Sequence, residues 1–142
     1  MIKRLSLLIL CAFVLSGCGL IEYFDSARKN LKKPCPAPPA QLQTAPTLPG
    51  AFPAASGMAW TEVHKSGPST IASGFMESTT IGPAHQAWAQ AVKGANGYSV
   101  TKEEQDGADS EVSFSGNGKS GQVKMLQVCK SRTNVTITIR PA

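Results

Sequence analysis

Glu62 and His64 stand at i and i+2 in a run of residues that suits a β-strand, a spacing that aims two side chains at one face. A carboxylate beside an imidazole is an acid/base pair, or two ligands for a metal ion. His85 is the candidate third group. Trp60 has the same parity as Glu62 and His64, so all three are expected to line one possible binding groove. A second cluster, Glu103, Glu104, Asp106, Asp109 and Glu111, surrounds an Asp-Gly turn. It lacks the fixed ligand spacing of a calcium-binding loop and reads as a solvated hairpin tip. The chain has no serine in a Gly-x-Ser-x-Gly setting and no glycine-rich phosphate loop. Groups like Glu62, His64 and His85 also arise by chance in chains of this size. The domain is therefore read as non-catalytic, with no cofactor and no metal. A small hydrolase or metal-binding protein using Glu62, His64 and His85 is the alternative.

The amino terminus is more specific. Lys3 and Arg4 precede an apolar run from Leu5 to Leu15, and Leu15-Ser16-Gly17-Cys18 closes it. The run is too short for the roughly 20 residues that span a bilayer, and its length and flanks match a signal peptide. This segment resembles the lipobox of bacterial lipoprotein precursors. The resemblance implies diacylglyceryl attachment to the Cys18 thiol, cleavage before Cys18, and often acylation of the freed amino group. Two or more acyl chains give stable anchoring where one does not. Residues 1–17 then leave with the signal peptide, and the mature protein sits in the cell envelope on the extracytoplasmic side of a membrane.

That resemblance changes the cysteine arithmetic. Cys11 departs with the signal peptide and Cys18 carries the lipid, so Cys35 and Cys129 remain of the 4 cysteines. In an exported protein such a pair is expected to form a disulfide; two free thiols, or a bridge to another chain, are the alternatives.

The formal charge of +5 is unevenly spread. Arg28, Lys29, Lys32 and Lys33 fall within six residues, whereas Met58 onward holds 8 basic and 7 acidic residues. A basic cluster just after a lipid anchor suits anionic headgroups, which attract each cation by about 1 kcal/mol. The near-neutral remainder argues against a nucleic-acid partner. Residues 18–33 also place Leu20, Phe24, Ala27 and Leu31 on one helical face, so this segment is expected to be an amphipathic helix or a frayed tether.

Residues 34–57 hold seven prolines and no charge, a linker composition. A Cys35 to Cys129 bridge would fold this linker back over the domain, with Leu42, Leu48 and Phe52 available to cover apolar surface. Leu126 and Val128, on the second apolar side of their strand, are one place it could cover.

Residues 58–142 read as one domain. Strands are expected at 59–65 and 70–79, then a helix started by Gly82-Pro83 and carrying Ala84, Trp88 and Val92 on one stripe. Four strands follow, joined by Asp106-Gly107, Asn117-Gly118 and the 130–134 turn. A ββαββββ order with one wet and one buried sheet face predicts a two-layer α+β domain, a mainly antiparallel sheet packed on one helix. Such a domain, held at the membrane surface, fits an envelope protein or peptidoglycan as partner.

Overall fold

The computed structural model describes residues 31–142. Cys18, Arg28 and Lys29, with the signal segment and most of the amphipathic stretch, lie outside the described residues. The elements are β1 (Met58–Ser66), β2 (Ser69–Glu77), α1 (Ile81–Gly94), β3 (Tyr98–Asp106), β4 (Asp109–Gly116), β5 (Lys119–Cys129) and β6 (Arg132–Pro141). Among the described residues, six strands form one antiparallel sheet in the order β1-β2-β6-β5-β4-β3, packed with one α-helix. The domain is the small α+β fold expected from the pattern.

Turn chemistry fixes the hairpins. Asn117 and Gly118 both take positive φ, 49° and 67°, as a type I′ turn requires. β6 enters between β2 and β5, which joins the β1–β2 hairpin to the β3–β4–β5 meander. Gly74 in β2 faces Trp60 in β1, and a Cβ at Gly74 would collide with the Ala59 carbonyl oxygen. The glycine permits a close approach of the two backbones.

The helix begins two residues before the expected proline start, at Ile81, with Pro83 inside its first turn. Thr80 makes no side-chain cap. Instead the Ile81 amide donates to Gln127 Oε1 of β5 at 3.0 Å, so a neighbouring strand satisfies one open helix donor.

One face of the sheet, the inner face, carries Ala72, Val112, Phe114, Val123, Met125, Val135, Ile137 and Ile139, all buried. Helix α1 covers β3, β4 and β5 with Ala84, Trp88 and Val92. Leu48, Phe52 and Ala55 complete the same core, so the Pro-rich segment is a strap over the domain. Phe52 stacks on Phe114 at 4.2 Å between ring centroids and meets Tyr98 edge-on at 5.3 Å. The Tyr98 hydroxyl donates to the Gly50 carbonyl at 2.9 Å and so holds the strap's far bend. Gly50 has φ 68°, and a Cβ there would run into that hydroxyl. Leu48 and Phe52 are buried as expected; Leu42 remains exposed, although its amide donates to the Trp60 carbonyl. The linker does not cover Leu126, which is 46% exposed on the opposite, outer face.

Candidate functional site

Two β-bulges decide which charged residues face where. In β1 the register passes from Trp60 opposite Gly74 to Glu62 opposite Ser73, leaving Thr61 as the extra residue. Trp60 therefore turns inward, 5% exposed, while Glu62 and His64 point outward. This corrects the expected groove of Trp60, Glu62 and His64, because the bulge breaks the period-2 rule on which it rested. Glu62 and His64 do meet, Nδ1 to Oε1 at 3.0 Å, with both side chains largely exposed. His85 lies on α1, on the inner side of the sheet, and does not join them.

The second bulge, at Thr101 in β3, sets Val100 opposite Phe114, then Lys102 opposite Ser113 and Glu103 opposite Val112. Glu103 is thereby separated from the other acidic residues and turned towards the helix. His85 Nε2 lies 3.0 Å from Glu103 Oε2, and His85 Nδ1 lies 2.5 Å from Ser110 Oγ. Lys93 donates to the other Glu103 oxygen. Lys93, and after it His85, hold the Glu103 carboxyl below the usual glutamate range. Acid, imidazole and hydroxyl in sequence are the parts of an activated nucleophile. Here Ser110 is only 6% exposed, and its hydroxyl is also within donating distance of the Glu104 carbonyl, at 3.0 Å. The network ties α1 to the β3–β4 hairpin. Sequence reading missed Ser110 and the separate role of Glu103, since neither bulge carries a glycine; the loss of apolar alternation after Val100 is the signal that was available.

The remaining acidic residues sit on the outer face. Glu104, Asp109 and Glu111 line an open groove of ≈ 950 Å³ with Lys124, Leu126 and Thr136. Lys102 pairs with Glu104 at 2.7 Å, and Lys124 stands 3.8 Å from Glu111. Among the described residues, no group of three or more His, Cys, Asp or Glu side chains is placed to hold a metal ion.

The end of the sheet at the β5–β6 turn is where the chain enters the domain. Cys35 and Cys129 form a disulfide with Cα atoms 5.2 Å apart. The Lys130 amide donates to the Lys33 carbonyl at 3.0 Å. Arg132, 4% exposed, donates through its terminal nitrogen to the Pro36 carbonyl at 2.9 Å and through Nε to Glu77 at 2.8 Å, over the Phe75 ring. A buried guanidinium is tolerable only when paired and hydrogen-bonded in this way. Entry is thus locked by a covalent bond, a backbone hydrogen bond and a buried cation. Lys32, Lys33 and Lys130 are exposed around it.

No family model, no curated protein and no solved structure matches the chain.

Proposed function

We propose that this chain is an envelope lipoprotein, lipid-anchored through Cys18 on the extracytoplasmic side of a membrane, whose α+β domain is a non-catalytic binding or structural module at the membrane surface. The observation that carries the reading is the Cys35–Cys129 disulfide. It pairs the two cysteines left once Cys11 and Cys18 are set aside by the lipobox, and disulfides persist outside the reducing cytosol. The partner class is an envelope protein or peptidoglycan, and the outer-face groove around Leu126 is the surface offered to it. Catalysis receives less support, since His85 and Ser110 are used in holding the helix and Glu62 with His64 lies on the other side of the sheet.

The test is acylation. Cys18→Ser should leave the precursor uncleaved and unable to incorporate labelled fatty acid, and uptake equal to that of the unaltered chain would refute the anchor. Capture of the anchored protein from its envelope, compared with a Leu126→Asp variant, then reports on the groove. Co-purification unchanged by that substitution would exclude the groove as the binding surface.

A further inference from the structure

Lys32 and Lys33 belong to the end of the sheet at the β5–β6 turn. The Lys33 carbonyl is bonded to the Lys130 amide at 3.0 Å, and two residues later Cys35 is joined covalently to Cys129. Whatever surface attracts these two cations therefore attracts the folded domain, with Lys130 beside them. The residues between Cys18 and Lys33 number fourteen, a reach of at most about 50 Å when fully extended. Arg28 and Lys29 fall in the last third of that length.

We propose that the β5–β6 turn, with Lys32, Lys33 and Lys130, is a seat on an anionic lipid surface, so that the sheet stands on the membrane with its strands rising from it. The inference rests on the Cys18 anchor and adds an orientation to it. Each cation near such a surface contributes about 1 kcal/mol, and the attraction fades within a Debye length of about 8 Å. Strands of about ten residues then place the Asn117-Gly118 and Gly67-Pro68 turns about 30 Å above the headgroups.

Charge alone does not select this end. The far end carries Lys65, Lys119 and Arg140, whereas the seat shares its end of the sheet with Glu77, which is neutralised by Arg132, and with Asp106 and Asp109 at the β3–β4 turn. The chain entry selects it, because the anchor and four closely spaced cations lead directly into this end. The two aspartates, which have no such partner among the described residues, lie at the β3–β4 edge of the sheet and tilt that edge away from the lipid.

The experiment uses the acylated full chain in vesicles containing anionic lipid, with brominated acyl chains as quencher. A fluorophore is attached to Thr80→Cys, exposed at the seat end, or to Ser66→Cys, exposed at the far end. Quenching at position 80 should exceed that at position 66 at least threefold. Lys32→Glu, Lys33→Glu and Lys130→Glu together should erase the difference while the protein still floats with the vesicles. Lys65→Glu, Lys119→Glu and Arg140→Glu together should preserve it. Equal quenching in the floated protein, or a difference indifferent to the first set, would overturn the seat and leave the anchor standing. Failure to float would overturn both.

Discussion

The inner face of the sheet is covered by two unlike pieces of chain. Over β3 to β5 lies α1, whose backbone bonds mainly within the helix and whose alanines let it pack close around Trp88. Beside it lies the strap, residues 36–57, which has only a three-residue 3₁₀ turn at Pro49–Ala51 and contributes Leu48, Phe52 and Ala55. A helix needs a sheet only for its apolar stripe. The strap needs its ends held, because a Pro-rich segment on its own extends into solvent. The disulfide and the Arg132 contact with Pro36 hold one end, and Tyr98 holds the far bend. The first cover is stabilised mainly by packing and the second by fastening.

The largest effect that separates the two covers is cavity formation beneath the helix. Trp88→Ala should cost about 3–5 kcal/mol, the usual range for deleting a buried aromatic side chain. Phe52→Ala should fall at or below the low end of that range, because the strap lacks a helix's internal hydrogen bonds and can settle into the space between its fastenings. Denaturant unfolding measures both; equal losses would mean that the strap is as rigid as the helix.

Reduction of the disulfide comes next. It should lower stability by about 2–4 kcal/mol as the unfolded chain regains the freedom of a long loop. Protease should then cut residues 36–57 while sparing α1, since untethered segments are preferred sites of nicking. Cleavage of the helix at the same rate would show that the two covers unfold as one unit.

The smallest effect lies in the network between α1 and the β3–β4 hairpin. Lys93 first, then His85, hold the native Glu103 carboxyl below its usual range. The contribution is therefore complete above the ordinary glutamate pKa and is lost as pH falls through that value to the lower native one. Glu103→Gln should lower stability at neutral pH by less than about 1 kcal/mol, as expected for a partly exposed ion pair. It should also flatten this part of the acid limb of the stability profile. An acid limb identical in the variant would remove the network from the account of how the helix is held.

Much of the fold is legible in sequence because its signals are local. Asn117-Gly118 and the Val135, Ile137, Ile139 alternation each specify an element without help from elsewhere. The helix start was displaced by Gln127, a residue 46 positions away that supplies the acceptor for Ile81. The candidate site was less legible for the same reason. Thr61 and Thr101 are ordinary strand residues, yet as bulges they reverse the faces of Trp60 and Glu103 relative to their neighbours. Arg132 carries no local sign that it will be buried over Phe75 and bonded to Pro36.

The position of β6 between β2 and β5 bears on how the molecule is made. Among the described strands, β6 is synthesised last and alone bridges the β1–β2 hairpin and the β3–β4–β5 meander. Until it emerges, the strand edges of β2 and β5 stand open, and open edges are templates for mispairing. Such long-range closure is also slow. Closure of the sheet therefore waits on β6, the keystone that follows both halves in the chain.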